Sequence, residues 1–319
     1  MHKIELDLGR SPRDRWFVED DSKNAISELI GYYLQDLGMD DDYLESLGDR
    51  LVSGIPDEFV CEIEGLSVRS GVSRERLLAL NLYYDFTKLI LGCTAFAVET
   101  DTGLFHARNL DWLSSNKALS RLTQICHYVN GPKGKFTTIG WPGSVGALSG
   151  MADKRFSITL NASLSNDERI QNGVPVSFLI REVLQYAASF DEAVEWLTTT
   201  KIPCDCLLLV TGIKKGEAIV IERTPTRYAH RWINNGFVAV TNDYVSLKIG
   251  DEANNINNAL ASTSCGRMNR IVELLEQAIP TDEKRCFGYL SDQGVIMDIT
   301  EQQMVFNAER CLARFEPTN

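Results

Sequence analysis

The residues best suited to chemistry lie in a predicted hairpin. Cys93 begins the strand pattern CTAFAVET, a turn signal follows at 101–103, and LFHARNLDW forms the returning strand. A two-residue turn there makes Cys93 face Leu110 and Arg108 face Ala95, on the same side of the sheet as Cys93. The pattern therefore predicts a guanidinium beside a thiol.

Asp111 has a less regular place in this hairpin. It follows Arg108 by three residues, an odd spacing that points its side chain to the opposite face of a regular strand. A bulge near Asn109–Leu110, or a strand that ends at Leu110, turns the carboxylate back toward the backbone nitrogen of Cys93. We expect such a bulge, so that thiol, guanidinium and carboxylate meet at one end of the hairpin.

A cysteine thiol, with an ordinary pKa of about 8.5, needs activation before it attacks an amide at neutral pH. The usual activator is histidine, but His106 faces Ala97, nearer to the turn, and is poorly placed. If the chain is cut before Cys93, the new α-amine, with a pKa of about 7.7–8, can itself serve as the base. Asp111 then holds the amine, and Arg108 lies near the thiolate and the substrate carbonyl. The alternative is an unreactive buried cysteine beside a strand-end ion pair, since free cysteines are most often core residues.

Composition argues against several classes of function. The 319-residue chain has 44% apolar and 24% charged residues, as in an ordinary globular protein of one large or two smaller domains. Its net charge of −12, with no basic stripe, argues against nucleic-acid binding. No glycine-rich phosphate loop opens a helix, and the eight scattered cysteines form no paired zinc pattern. The sequence therefore predicts no metal and no organic cofactor.

The apolar segments bear on location. The opening MHKIELDLGRSPRDRW lacks the apolar run of a secretory signal. The stretch LLALNLYYDFTKLILG is interrupted by Asp85 and Lys88 and is too short to span a bilayer. Because the thiols are expected to be mostly free, we predict a cytoplasmic protein without a transmembrane segment.

The elements that must position the hairpin change character at Cys93. Before it, helical patterns cover Lys23–Leu37, Asp42–Ser53 and Pro56–Ser70, and a fourth helix begins after Ser73 and ends near Gly92. After it, strand patterns predominate, and helices interrupt them at 176–187, 190–199 and 267–278. The further strand patterns are RLTQICHYV, KFTTIGW, FSITLNA, DCLLLVTG, EAIVIERT, YAHRWI and GFVAVTN. This order predicts an α+β fold with antiparallel sheets between helix layers.

The segment NLYYDFTKLILGCTAFAVETDTGLFHARNLDW resembles the processing-site region of the N-terminal-nucleophile (Ntn) amide hydrolases related to acid ceramidase and N-acylethanolamine-hydrolysing acid amidase. Their wider group includes choloylglycine hydrolases and penicillin acylases. In that family a Cys-Thr dipeptide begins the mature subunit, and H-[GA]-R-N-[LM]-D follows at similar spacing. Further similar segments are IELDLGRSPRDRW, GSVGALSGMADKRFSITLNAS, PVSFLIREVLQYAASFDEAVEWLTTTKI and VAVTNDY, so the resemblance covers nearly the whole chain.

The resemblance implies a four-layer αββα sandwich with antiparallel sheets, preceded by a helical N-terminal segment. It also implies an autocatalytic cut between Gly92 and Cys93. Residues 1–92 would form the propeptide or α-subunit, and residues 93–319 the catalytic domain or β-subunit. The two fragments would stay associated after the cut.

The resemblance also assigns roles to residues. Cys93 would be the nucleophile and, through its amine, the base, with Arg108 and Asp111 matching the family's arginine and aspartate. Asn242, in Thr-Asn-Asp, would match the asparagine that donates to the tetrahedral oxyanion, and Arg267 a second arginine. Without the resemblance, Asn242 is a turn residue and Arg267 a solvated cation at the start of a helix.

The substrate-binding residues are expected around the same site. Asn161 at the end of TLN would line it as a hydrogen-bond donor. A groove for an acyl chain would be exposed by the cut and lined by the helix Leu77–Ile90 and by loops near Trp112 and Trp141. Ala162 stands where the lipid-amide members of the family carry a glutamate, a departure from the pattern of ceramide or ethanolamide substrates.

These features predict a cysteine Ntn hydrolase that cleaves a linear, non-peptide C–N amide, such as that of an N-acyl amine or fatty-acid amide, through a thioester. One alternative is an acyltransferase of the isopenicillin N acyltransferase type, because water and an amine attack the same thioester. The other is an uncleaved, inactive relative that binds an amphiphile.

Overall fold

The computed structural model describes residues 2–87, 91–165, 167, 173–247 and 259–318. Two sheets form its centre. The larger sheet is antiparallel except for one parallel pair at its first edge. Its eight strands, in spatial order, are β1 (His2–Asp7), β4 (Gln124–Val129), β5 (Phe136–Gly140), β6 (Ser149–Ala152), β7 (Phe156–Asn161), β8 (Cys206–Thr211), β9 (Ala218–Arg223) and β10 (Tyr228–Trp232).

The smaller sheet is antiparallel throughout and carries the hairpin in its middle. Its five strands, in spatial order, are β11 (Phe237–Val240), β2 (Leu91–Thr100), β3 (Gly103–Trp112), β12 (Thr300–Asn307) and β13 (Leu312–Pro317). Because β2 and β3 have neighbours on both sides, the hairpin is held by hydrogen bonds on both of its edges.

Helices cover the outer faces of both sheets. The described α-helices are α1 (Asp20–Leu37), α2 (Asp41–Leu47), α3 (Asp57–Ser70), α4 (Arg74–Thr87), α5 (Ala118–Arg121), α6 (Val176–Tyr186), α7 (Phe190–Thr199), α8 (Ala259–Gln277) and α9 (Glu283–Leu290). Short 3-10 turns lie at Pro12–Asp14, Gly48–Val52 and Ser115–Lys117. Helices α6 and α7 pack on the larger sheet, α8 and α9 pack on the smaller one, and the two sheets pack face to face. The predicted α+β sandwich of four layers, αββα, is confirmed.

Strand β2 is apolar on both faces because both are buried. Ala95 and Ala97 pack toward Leu207 and other residues of the larger sheet. Phe96 packs on the other side among residues of the outer helix layer, including Ile271. A strand buried on both faces shows a continuous apolar run, as CTAFAV does here. This double burial gives the start of β2 a rigid support.

The register of the hairpin is the predicted one. Cys93 pairs with Leu110 and Ala95 pairs with Arg108, and the pairing of β2 with β3 is unbroken over both strands. The predicted bulge near Asn109–Leu110 is therefore wrong. The irregularity lies in the neighbouring strand β12, where the register against β3 shifts between Thr300 and Gln302.

The N-terminal segment is tied to the rest of the protein by a strand and by buried charges. Strand β1 pairs in parallel with β4 and so forms the first edge of the larger sheet. Glu62 in α3 is fully buried and accepts hydrogen bonds from Arg15 Nη1 at 3.0 Å and Trp16 Nε1 at 2.8 Å. Arg181 of α6 lies 3.8 Å from the same carboxylate and joins the two parts of the molecule.

Several element boundaries differ from the sequence prediction. Helix α8 begins at Ala259, eight residues before the predicted start, while strands β6, β12 and β13 and helix α9 were not predicted. The predicted last turn of the fourth helix, at 88–90, lies outside the described residues.

In the described part of the chain, none of the helices combines the length and the apolar character needed to cross a bilayer. The cytoplasmic location stays a prediction.

Candidate active site

Cys93 lies near the start of β2, and all three of its polar groups are hydrogen-bonded. Its side chain is buried, with 1% of its surface exposed. Its Sγ accepts a hydrogen bond from Arg108 Nη2 at 3.2 Å. Its backbone nitrogen donates to Asn242 Oδ1 at 3.0 Å, and its carbonyl oxygen accepts from Arg267 Nη1 at 2.5 Å. Side chains from β3, from the end of β11 and from α8 thus meet at a single residue.

Arg108 reaches the thiol from β3, on the face of the smaller sheet that packs against the larger one. Its Nη1 donates to Leu148 O at 3.3 Å and also to Ser149 Oγ. Its Nη2, besides contacting the thiol, donates to Leu160 O. These partners on β7 and around the start of β6 fix the guanidinium beside Cys93, as the register predicted.

Asp111 lies on the opposite face of the hairpin, as its odd spacing from Arg108 requires. Its strand partner is Gly92, and a side chain at that glycine would bring Cβ within 3.3 Å of Asp111 Oδ2. Thr300 Oγ1 donates to Oδ1 at 2.6 Å, whereas the buried Oδ2 has no hydrogen-bond partner among the described residues. Arg267 Nη1 lies 3.7 Å from Oδ2. Burial raises the pKa of Asp111, and the charge of Arg267 and the Thr300 hydrogen bond oppose that rise.

Asn242 follows β11 and acts as an acceptor at the start of β2. Its Oδ1 accepts from Cys93 N and from Arg267 Nη2, the latter at 2.8 Å. Its Nδ2 donates to Ala162 O at 2.8 Å, and its backbone nitrogen donates to Ser264 Oγ at 2.9 Å. Two donors facing one amide oxygen fix the orientation of the side chain.

Arg267 lies at the centre of this network and not at the surface. Only 3% of it is exposed, so its interpretation as a solvated cation at a helix start is wrong. It lies in the third turn of α8, because that helix begins earlier than predicted. Its Nη1 also donates to Thr94 Oγ1 at 2.7 Å. The guanidinium thus connects Cys93, Asn242 and Asp111.

Asn161, at the end of β7, holds the segment that carries Asn242. Its Nδ2 donates to Thr241 O at 2.9 Å and to Val240 O at 3.2 Å. Both bonds join the larger sheet to the end of β11. Its Oδ1 is buried without a hydrogen-bond partner among the described residues. The expected donor is thus occupied in this structure, and the group left over is an acceptor.

His106 is not a base for Cys93. Its Nδ1 lies 2.9 Å from Ser157 Oγ and its Nε2 lies 2.8 Å from Thr159 Oγ1, so hydroxyl groups occupy both ring nitrogens. Burial lowers the pKa of His106 to about 3, and the charge of Arg108 acts in the same direction. The ring is neutral at pH 7 and holds the two sheets together.

This burial predicts a pH-dependent stability. Because the folded pKa of about 3 lies below the unfolded value, the contribution of His106 is complete above about pH 6.5 and is lost as the pH falls toward 3. Across that window it amounts to about 1.4 kcal/mol per pH unit. Urea unfolding at pH 4, 5 and 6 is expected to give a slope of stability against pH that is smaller by this amount in His106→Gln than in the parent protein. A matched change of the exposed His127 to Gln should reduce the slope less, and equal slopes in parent and His106→Gln would contradict the assignment.

Trp112 and Trp141 lie beside the site and line a cavity of about 40 Å³. Both are buried, and their rings meet edge to face at a centroid distance of 5.4 Å. Helix α4 contributes Leu80, Tyr83 and Tyr84 to the same cavity. Side chains of the N-terminal segment therefore line the space where a groove is expected.

The sequence did not indicate three hydroxyl groups of the site. Ser149, Thr300 and Ser264 support Arg108, Asp111 and Asn242 respectively. Ser and Thr are common throughout the chain, and only the fold places these three behind charged or amide groups. Among the described residues, no group of three His, Cys, Asp or Glu side chains is placed to hold a metal ion.

Comparison with known proteins shows which family this chain belongs to. The family model described as "Acyl-coenzyme A:6-aminopenicillanic acid acyl-transferase" matches residues 98–302, which is more than half of the chain. An acid ceramidase from Balaenoptera acutorostrata scammoni is 27% identical over 252 residues, which are 70% of this chain and 62% of that protein. An N-acylethanolamine-hydrolyzing acid amidase from Caenorhabditis elegans is 28% identical over 212 residues, or 60% of this chain and 59% of that protein. The chain thus spans about three fifths of the length of these relatives.

A solved structure supports the same fold. The Caenorhabditis elegans ortholog of N-acylethanolamine-hydrolyzing acid amidase superimposes with a TM-score of 0.55 at 23% identity, and the match covers 68% of this chain and 93% of that chain. The chain belongs to the acyl-coenzyme A:6-aminopenicillanic acid acyl-transferase family, has the Ntn-hydrolase fold, and is related to acid ceramidase and N-acylethanolamine-hydrolyzing acid amidase.

Proposed function

We propose that this protein is a cysteine amide hydrolase that becomes active through a cut between Gly92 and Cys93. It cleaves a linear, non-peptide C–N amide, that of an N-acyl amine, through a thioester. The observation that carries the proposal is the environment of Cys93. Its thiol, nitrogen and carbonyl oxygen are each bonded by a different side chain, those of Arg108, Asn242 and Arg267. A core cysteine without a role needs no such set of partners.

The contacts suit the cut itself. Cys93 Sγ attacks the Gly92 carbonyl carbon, and the Cys93 nitrogen leaves as an amine that keeps its proton and gains the thiol proton. Water then hydrolyses the Gly92 thioester, which releases the Gly92 carboxylate and frees the thiol. Asn242 Oδ1 already accepts from the scissile nitrogen, and Asp111 Oδ2, which has no hydrogen-bond partner in the described part of the chain, lies beside Gly92.

The same groups serve hydrolysis once the amine is free. The α-amine of Cys93 takes the thiol proton, and the thiolate attacks the acyl carbon. The amine of the substrate leaves with that proton, and water releases the acid from the thioester. Asp111 holds the α-ammonium group, while Arg108 stabilises the thiolate. Asn242 donates to the oxyanion after its Nδ2 leaves Ala162 O.

The two fragments, 1–92 and 93–319, are proposed to stay together. Pairing of β1 with β4 crosses the cut, as do the contacts of Glu62 with Arg181. Movement of α4 from the cavity beside Trp112 and Trp141 opens the groove for the acyl chain. These contacts support a processed protein of two chains and one fold.

The names of the relatives support the proposed substrate class. The names of two relatives specify hydrolysis of N-acylethanolamines and of ceramide, both of which are N-acyl amines. The aromatic and aliphatic residues around the cavity suit the acyl part of such a molecule.

Intact mass measurement tests the proposal. The parent protein is expected to give fragments of 92 and 227 residues, and Cys93→Ala a single chain of 319 residues. Cys286→Ala, which changes a buried thiol on the outer side of the smaller sheet, should be cut like the parent. The processed parent should also hydrolyse N-acyl amines and carry an acyl adduct at Cys93. A parent that stays whole at every pH, without an adduct, would instead support the uncleaved amphiphile-binding alternative.

A second candidate is an acyltransferase, since the description of the matching family names that reaction. In this case an amine attacks the thioester in place of water. Product analysis with and without an added amine separates the two. The hydrolase gives free acid in both mixtures, and the transferase gives a new amide when the amine is present.

A further inference from the structure

The two tryptophans of the cavity differ in one respect. Trp141 Nε1 donates to Leu119 O at 2.8 Å. Trp112 Nε1 is buried and has no hydrogen-bond partner among the described residues, although only 2% of the side chain is exposed. A buried donor without a partner is costly, and buried indole N–H groups usually have one. The cavity that Trp112 lines is large enough for a water molecule or for part of a ligand.

The cavity adjoins the proposed reaction centre. Leu148 lines it, and the carbonyl oxygen of Leu148 accepts from Arg108 Nη1 at 3.3 Å. The other terminal nitrogen of that guanidinium donates to Cys93 Sγ at 3.2 Å. Trp112 itself pairs with Leu91, two residues before Cys93. An acyl group bound to Cys93 and extending past Arg108 would therefore reach Trp112.

Three other polar side chains in the wall already have hydrogen-bond partners. Tyr83 Oη donates to Asp36 at 2.8 Å, and Tyr84 Oη donates to Asp205 O at 2.9 Å. The Asn81 amide bonds to backbone groups through both its oxygen and its nitrogen. In contrast to these groups, the Trp112 indole N–H has no hydrogen-bond partner among the described residues, and its ring stacks on Tyr83 at a centroid distance of 4.9 Å.

We infer that Trp112 is a specificity-determining residue whose indole N–H donates a hydrogen bond to an oxygen within the acyl group of the substrate. This inference rests on the proposed amide hydrolysis and specifies its acyl class: chains that carry an ether, hydroxyl or carbonyl oxygen along their length. A pure hydrocarbon chain leaves the donor unpaired, or displaces a water that it cannot replace. A site built to bond a polar group discriminates strongly against an analogue without that group.

The test uses the purified parent protein and a set of octanoyl amides of one fluorogenic amine. In each member an ether oxygen replaces one methylene, at successive positions of the chain. We expect kcat/KM for at least one oxygen position to exceed that of the octanoyl amide tenfold or more. In Trp112→Phe, which keeps a stacking ring and lacks the N–H, this ratio should fall to one or below, because an apolar wall disfavours an ether oxygen. A parent that prefers the hydrocarbon chain over every analogue would overturn the inference.

Trp141→Phe is the matched control. It removes an indole N–H that already has a protein partner, so it should keep the parental ratio even where it lowers all rates. If both variants lose the preference for the ether-containing chain equally, that preference comes from packing, and the inference is overturned.

A binding measurement keeps this inference separate from the proposed function. The indole N–H resonance of Trp112, assigned by its absence in Trp112→Phe, should move downfield when oxa-octanoic acids are added, and should not do so with octanoic acid. Failure to hydrolyse any amide of the set would contradict the proposed function, whereas the resonance still reports whether Trp112 donates. An unmoved resonance with every oxa acid would overturn the inference alone.

Discussion

Replacing Arg267 with methionine is expected to lower the free energy of unfolding by about 3–5 kcal/mol and to prevent the cut at Cys93. The change removes the donor to Cys93 O and to Asn242 Oδ1, and the cation 3.7 Å from Asp111. It leaves a buried carboxylate without its nearest charge, which is the costly way to break a buried pair. The measurement is urea unfolding at pH 7 in the Cys93→Ala background, where every protein is a single chain.

Arg270 provides a matched control on the same helix. It lies one turn later in α8 and pairs with Asp292 at a partly exposed site. Arg270→Met should therefore lower the free energy of unfolding much less than Arg267→Met. If Arg267→Met is as mild as Arg270→Met, the central role given to Arg267 is wrong. The second effect, loss of the cut, is measured by intact mass of Arg267→Met in the protein that keeps Cys93.

Replacing Asp111 with asparagine is expected to lower kcat by about 100-fold or more, because the α-amine that the proposed cut creates at Cys93 would lose the carboxylate proposed to hold it. Thr300 allows a finer test. Its hydroxyl donates to Asp111 Oδ1, so Thr300→Val removes one of the contacts that oppose the raised pKa of Asp111. The pKa should rise further, while Arg267, Arg108 and Lys117 still act on it. The acid limb of kcat/KM should then move to higher pH.

Thr300→Ser is the control for this shift, since it keeps the hydroxyl and should restore the parental acid limb. A simple loss of packing would lower the rate at every pH without moving the limb. An acid limb that is unchanged in Thr300→Val would show that Asp111 does not control it.

The parts of the fold with strong local patterns could be predicted from the sequence. The apolar run after Cys93 and the turn at 101–103 gave the hairpin and its register. Strand β12 was missed because its first half, TEQQ, is polar. Its threonine and glutamine side chains are buried in the fold by residues that are distant in the sequence. The start of α8 was missed because its first turns, ALASTSCG, lack a regular apolar spacing.

The same holds for the site: positions set by one strand could be predicted, and contacts between residues distant in the sequence could not. The placement of Arg108 follows from alternation along one strand, so it was predictable. The contact of Arg267 with Cys93 joins residues 174 positions apart, and only the family resemblance suggested it. The bulge was predicted in the wrong strand because one assumption, that Asp111 must face the thiol, was wrong. The carboxylate stays on its own face, and Arg267 connects it to Cys93 from the helix side.

The parallel pair of β1 and β4 would form differently in the intact chain and in the two fragments that the proposed cut would give. The pair joins residues more than 120 positions apart, and in the intact chain they meet within one molecule. After the proposed cut, the same sheet edge is formed by two separate polypeptides. Recovery of the fold from an unfolded mixture then depends on their concentration, whereas the precursor folds at any dilution. On this proposal, the peptide bond before Cys93 links the two segments during folding and is broken in the cut that activates the enzyme.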